Sequence, residues 1–314
     1  MRNQSIIRLS ALWPATVVVS GTLLIYYAVM EYGFLPVDDY GHISNNPLII
    51  VPTVENLTQF WTDTYFNLYI PVAYTIWWTL AWLSQAIWGE LNPVLFHGVN
   101  VAVHLINTIL VYALTRLLGR NSEREILHLP ITAVVVAAFF AWHPMQVEAV
   151  AWIASLRDLL AFCFSTLYLI LVLRAWSQDK RRAHNLILAH GFLILALLSK
   201  PVTVISPLVL MALGWGFGKQ SFRETLRAAL PGLCFGLPVI VTTMFAQEHA
   251  TELIYNPPWG RLIVASDTAA FYVGKLLMTS SAERPMKMKA AWTAFLGISD
   301  SAITSSIPRY GIEE

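Results

Sequence analysis

The sequence predicts an all-α, polytopic membrane protein, and three observations carry that prediction. The 314-residue chain is 56% hydrophobic and only 12% charged, against about 25% charged for an ordinary soluble domain. Its mean hydropathy is +0.58. Its apolar residues arrive in runs approaching the roughly 17–25 residues needed to cross a hydrocarbon core. A β-barrel would instead show alternating segments of about ten residues. The net charge of +1 leaves no basic footprint for nucleic acid. Cys163 and Cys234 both lie inside apolar runs and form no CxxC pattern, so they read as buried free thiols rather than a disulfide or metal framework.

Taken in order, the N-terminus carries Arg2 and Arg8 and no acid before the first apolar run, residues 11–30. That run is too long for the apolar core of a signal peptide and lacks a small-residue cleavage site, so it reads as a retained span. An acidic, Lys- and Arg-free segment, 31–94, follows. A second span covers 95–118 and ends among Arg116, Arg120 and Arg124. A third, 131–142, stops at His143-Pro144, because proline cannot continue the helical hydrogen-bond ladder. A fourth, 159–173, leads into Arg174, Lys180, Arg181 and Arg182. A fifth, 186–198, and a sixth, 202–217, are separated only by Ser199-Lys200-Pro201. Lys219, Arg223 and Arg227 precede a seventh, 228–245; the polar stretch with Asn256-Pro257-Pro258 precedes an eighth apolar run, 262–278, which contains Asp267 and Lys275. The expectation is about 7–8 spans.

Every second connection is basic, and the positive-inside rule therefore places the N-terminus and those loops in the cytoplasm. The acidic connections fall on the opposite face. Within the first external loop, residues 74–88 are uncharged and rich in Trp. A crossing there would put the next basic cluster outside, so the stretch is expected to form a helix lying in the bilayer interface.

Four groups of residues carry candidate chemistry. Asp38 and Asp39 are adjacent carboxylates with no Lys or Arg between Leu9 and Thr115. They suit a solvated loop, a general base for an acceptor hydroxyl, or hard oxygen ligands for a divalent cation such as Mg or Mn. His97, Asn100, His104 and Asn107 recur at offsets of three and four, so they share one helix face. Polar residues at membrane depth face a bundle or a cavity, either bonding between helices or contacting substrate. Glu148 and Trp152 would share a face after the His143-Pro144 break, followed by Arg157-Asp158. That group reads as a structural ion pair, or as a carboxylate facing an acceptor with an arginine facing a phosphate. Lys200 is a lone cation in its turn, either snorkelling to headgroups or binding phosphate.

The motifs also occur in a recognisable order: Asp38-Asp39, Ile43-Ser-Asn-Asn-Pro47, Tyr69-Ile-Pro71, Asn92-Pro-Val-Leu-Phe-His97-Gly-Val-Asn100 with His104, His143-Pro144 with Glu148-Ala-Val-Ala-Trp152, and Leu198-Ser-Lys200-Pro201. Together they resemble the membrane part of GT-C-fold glycosyltransferases of the transmembrane and tetratricopeptide-repeat O-mannosyltransferase type. The Ser-Lys-Pro form is similar to bacterial members. The resemblance covers residues 34–275. It implies a GT-C-like transmembrane domain over 1–278, including the external loop 31–94, and a polar tail over 279–314. It also implies transfer of a mannose-like hexose from a polyprenyl-phosphate carrier to a protein or glycan hydroxyl on the non-cytoplasmic face of a bacterial inner membrane. In that reading Asp38, Asp39 and Glu148 are catalytic, and Asp38 and Asp39 could hold a metal. Arg157 and Lys200 hold the carrier phosphate, and Tyr69, His97, Asn100, His104, His143 and Trp152 line the substrate cavity.

The chain departs from the family after Lys275. Leu276-Leu-Met-Thr-Ser-Ser-Ala stands where a Trp-Pro or Phe-Pro pair is expected, and residues 283–314 show no repeat of about 34 residues. A truncated or frame-shifted product is one expectation from that departure. Two other functions share the same residues: a transporter or flippase for a lipid-linked precursor, and an inactive membrane scaffold.

Overall fold

The computed structural model describes residues 13–36, 38–121, 129–177, 181–216, 220–248 and 265–270. The chain divides into two units, Met1–Tyr255 and Asn256–Glu314. In the second, only 265–270 are described, and they are helical. The first apolar residues, the end of the eighth run and the polar tail lie outside the described residues.

The first unit is an all-helical bundle. Its helices are α1 (Trp13–Tyr26), α2 (Pro47–Ile50), α3 (Val54–Thr62), α4 (Pro71–Trp88), α5 (Pro93–Asn121) and α6 (Leu129–Trp142). They continue with α7 (Met145–Ala151), α8 (Leu156–Ser177), α9 (Arg182–Ser199), α10 (Ser206–Gly216) and α11 (Phe222–Glu248). Among the described residues, four helices are long and apolar enough to cross a bilayer, and five if α6 and α7 form one span bent by 63°. Residues 16–31 and 201–216 are apolar helical stretches too short for that test. Apolar side chains point outward along the bundle, among them Leu24, Ile187, Trp215 and Phe245. A soluble domain rarely exposes contiguous apolar surface on that scale, so the bundle belongs in a lipid bilayer.

The bundle is organised around α5 and α8. Helix α8 packs most extensively on α9, and α5 packs on both α6 and α8. The bend between α6 and α7 falls at His143-Pro144, where the missing proline N–H interrupts the ladder. His143 Nδ1 accepts from the Met145 N–H at 3.2 Å and steadies that turn. Gly21 lets α1 approach the Trp142 ring: a Cβ there would come within 2.6 Å of it. The Trp142 indole donates to Thr22 Oγ1 at 3.2 Å across the same contact.

The segment 31–94 is more structured than an interfacial helix in a long connector. Asn46 caps α2 by accepting from the Leu48 N–H at 2.9 Å, and Thr53 caps α3 by accepting from the Asn56 N–H at 3.2 Å. Helix α4 is not among the candidate spans, but it does not simply lie on a surface. Ala73, Tyr74, Trp77 and Ala81 are buried in one cluster with Ile43, Phe60, Phe96 and Ile153, while Trp82, Ile87 and Trp88 are exposed. Gly89, at φ 76°, ends α4 in the left-handed conformation that favours glycine. Of the two cysteines, Cys163 is buried as expected and Cys234 is exposed on α11.

Candidate functional site

The site forms where the chain turns between α1 and α2. Residues 38–39 are helical and Tyr40–Ser44 continue as one turn of π-helix. Successive side chains on such a turn point about 100° apart, so the adjacent acids face different neighbours. Asp39 is fully buried. Its Oδ2 accepts from the Leu35 N–H at 2.9 Å, and its Oδ1 accepts from the Ala154 N–H at 2.7 Å. Ala154 belongs to the 3-10 turn Ile153–Ser155 that opens directly into α8. A carboxylate at that N-terminal turn satisfies an amide left open by the helix start. Burial pushes the Asp39 carboxyl above its ordinary range, with the Leu35 and Ala154 amides opposing that shift and the Asp38 charge adding to it.

Asp38 faces the other way. Its Oδ2 accepts from Arg157 at 2.9 Å. Arg157 Nε stands 3.9 Å from Asp158, and Lys200 Nζ donates to Asp158. The result is an alternating chain, Asp38–Arg157–Asp158–Lys200, from three segments distant in sequence. Asp39 positions it indirectly by anchoring the turn that leads into α8, where Arg157 lies.

His42 completes the inner wall. Its Nε2 lies 3.1 Å from Arg157 Nη1 and its Nδ1 lies 2.7 Å from the Tyr74 hydroxyl. Arg157 has only donors, so Nε2 accepts and Nδ1–H donates to Tyr74. Burial, reinforced by the Arg157 charge, lowers the His42 imidazole from its ordinary 6.5 to about 4. It is therefore neutral near pH 7. The ring packs edge-on to Phe66, with centroids 4.9 Å apart, and stacks on Trp77 at 5.7 Å.

Asp38, His42, Arg157 and Lys200 open onto one cavity of about 430 Å³, with Phe66 and Asn67 on its rim. Phe66 (φ 49°) and Asn67 (φ 59°) both occupy the left-handed region. They form a tight turn closed by paired bonds of 3.0 Å between Tyr65 and Leu68. Asparagine tolerates that conformation, but for Phe66 it costs roughly 1–2 kcal/mol. Backbone strain of this kind concentrates at ligand clamps and active sites.

The expected set of five charged residues therefore divides. Asp38, Arg157 and Lys200 meet, and Asp39 stands behind them as a brace. Glu148 is exposed and lines a separate cavity of about 260 Å³ with Tyr32, Leu35 and Trp152. The expected metal pair does not assemble. Both Asp39 oxygens accept backbone amides and Asp38 is held by Arg157, and no group of three or more metal-ligating side chains occurs among the described residues. These residues do not fit a shared cation.

The expected cavity-lining residues have other partners. Asn100, His104 and Asn107 are fully buried. Asn100 Nδ2 donates to Trp152 O at 2.8 Å and Val150 O at 3.3 Å, and Asn107 Nδ2 donates to Leu159 O at 3.0 Å. His104 Nε2 lies 3.1 Å from Ala141 O, a carbonyl left open where α6 ends. His97 is buried beside them without a well-aligned partner. The Tyr69 hydroxyl donates to Trp61 O at 3.1 Å rather than into the cavity.

Sequence reasoning missed His42, Phe66 and Asn67. Asp38 and His42 are four residues apart, a spacing that shares a face on a helix, and that signal was available. The Phe66-Asn67 turn has only a weak signature, because the left-handed pair begins with a residue that disfavours it. Compared with protein families, curated proteins and solved structures, the chain matches none of them.

Proposed function

We propose that the chain is a membrane glycosyltransferase domain of GT-C type, moving a mannose-like hexose from a polyprenyl-phosphate carrier to a protein or glycan hydroxyl. The observation that carries the reading is the alternating chain Asp38–Arg157–Asp158–Lys200 opening onto one cavity. It offers two cations for a phosphate and a carboxylate for a hydroxyl. Neutral His42 adds no charge, so the cluster is electrically balanced.

An entering phosphodiester anion competes with Asp38 for the Arg157 fork, which suits bidentate phosphate contact. Lys200 supplies the second cation. Asp38, released from Arg157, accepts the proton of the acceptor hydroxyl. That oxygen attacks the anomeric carbon, the bond from carbon to phosphate oxygen breaks, and the electron pair leaves with polyprenyl phosphate. Arg157 and Lys200 hold the leaving anion. Glu148, in its separate cavity, is not needed for this step.

In this reading 16–31 and 201–216 bring the five candidate spans to seven, the apolar run 262–278 adds an eighth, and the N-terminus lies in the cytoplasm. The alternating basic loops support that orientation. The test is reconstitution of the chain in proteoliposomes with a polyprenyl-phosphate hexose and a hydroxyl acceptor. Release of polyprenyl phosphate, lost in Asp38→Asn while carrier binding persists, supports the enzyme. Movement of carrier across the bilayer without transfer, undiminished in Asp38→Asn, would replace it with a flippase.

A further inference from the structure

We propose a second site, at the far end of α5 and α8 from Asp38, that binds a phosphate-bearing anionic headgroup through Arg116, Arg120 and Arg174. A cavity of about 460 Å³ opens between the two helices there, and these three arginines line it with Tyr112 and Ser177. Arg116 and Arg120 are one turn apart on α5, and Arg174 comes from α8.

Arg116 is held in one orientation. Its Nη1 donates to the Tyr112 hydroxyl at 2.7 Å, and its guanidinium carbon stands 5.7 Å from the centre of the same ring. Its Nε is buried and has no hydrogen-bond partner. A buried guanidinium N–H without an acceptor is costly, and Arg116 is one of the residues that line the cavity. Among the described residues no acid forms an ion pair with Arg116, Arg120 or Arg174. At the other end of α8, Arg157 and Lys200 are both paired. Three like charges around one cavity repel one another, and a phosphate with several acceptor oxygens offsets that repulsion through the planar fork geometry.

Depth selects the ligand. Arg157 and Arg174 both lie on α8, and their spacing along the helix axis is about 25 Å. That is close to the roughly 30 Å thickness of a hydrocarbon core. With the Asp38 cluster at one headgroup layer, the arginine cavity falls at the other. Basic pockets between transmembrane helices at that depth suit phospholipid headgroups. The shared chemistry is a phosphate, supplied by an anionic phospholipid or by soluble phosphate. The site uses none of the residues around Asp38, so it stands or falls separately from the transferase reading.

The test is native mass spectrometry of the full chain in detergent micelles supplied with phosphatidylglycerol, phosphatidylcholine or inorganic phosphate. Phosphatidylglycerol is expected to be retained about tenfold better than phosphatidylcholine. Arg174→Gln, at an exposed position, should reduce that retention about fivefold, and the triple variant R116Q/R120Q/R174Q on the order of a hundredfold. Arg182→Gln with Arg223→Gln should leave it unchanged. Equal retention of the two lipids would overturn the proposal. So would an equal loss in the Arg182 and Arg223 variant, which would reveal a diffuse basic surface. Displacement of the lipid by inorganic phosphate, abolished by Arg174→Gln, supports the anion site and assigns its occupant to soluble phosphate. A thermal melt of each variant separates lost binding from lost fold.

Discussion

The stripe on α5 and the cavity beside Asp38 are both polar, and both touch the chain between Ala141 and Leu159, yet they spend their side chains differently. Asn100, His104 and Asn107 are fully buried and reach backbone carbonyls at or near the breaks around α7. Asn100 and His104 serve carbonyls at the Trp152 and Pro144 breaks, and Asn107 reaches a carbonyl inside α8. Asp38, Arg157, Asp158 and Lys200 are partly exposed and pair with one another around an open volume. A polar group bonded to backbone is committed, because releasing it leaves a buried carbonyl unpaired. An ion pair at a cavity wall can exchange one partner for a ligand at far lower cost. Polar side chains therefore brace backbone in one region and line an open cavity in the other.

The largest effect that would sharpen this contrast is catalytic. Asp38→Asn should lower transfer by 10²–10⁴-fold, the usual range for loss of a general base, while the melting temperature stays nearly constant. The kinetics of polyprenyl-phosphate release and a thermal melt of the same preparation check both halves. A large fall in stability instead would put Asp38 with the scaffold.

His42 sits on the border between the regions, and pH distinguishes its role. Its folded value of about 4 lies below the ordinary 6.5. Between those values the unfolded chain binds a proton that the folded chain does not. Stability is therefore fully present above about pH 6.5, is lost as pH falls towards 4, and levels off below. The integrated loss is about 3 kcal/mol. Denaturation of His42→Gln across the same range should show a shallower fall than the parent protein; parallel curves would remove His42 from the account. Asp39→Asn should come next, costing about 1–3 kcal/mol. One amide oxygen replaces two carboxylate oxygens, so either the Leu35 or the Ala154 N–H loses its acceptor. Rescue of transfer in Asp39→Asn by a stabilising lipid would mark it as a brace; persistent loss at restored stability would return it to the reaction.

Much of this was legible in the sequence, and the residues show where legibility stopped. The apolar runs marked the positions of α5, α6, α8 and α9, and Pro144 marked the break, because span length and proline chemistry act locally. The buried face of α4 was not legible, since Tyr74 and Trp77 suit an interface and a protein core equally well. Asp38, Arg157 and Lys200 were expected to meet, and they do. The division of labour between Asp38 and Asp39 depends on the phase of one helical turn, which adjacent identical residues do not encode. Glu148 was placed with them by the family resemblance, but it follows the 63° bend on α7 and lines a different cavity.

The smallest expected effect tests the scaffold side directly. Asn100→Leu removes the donor that serves Trp152 O and Val150 O. Trp152 O keeps a second partner in the Ser155 N–H at 3.0 Å, whereas Val150 O depends more heavily on Asn100. The substitution also deletes Asn100 Oδ1, an acceptor without a partner, which returns part of the cost. The net destabilisation should be roughly 1 kcal/mol, the scale measured for hydrogen bonds inside membranes. Transfer per folded molecule should be unchanged, because no atom of Asn100 reaches the Asp38 cavity. Unfolding in mixed micelles and activity normalised to folded protein give the two numbers. A drop in normalised activity larger than the drop in stability would mean that the stripe reaches the substrate, and the contrast between the two regions would fail.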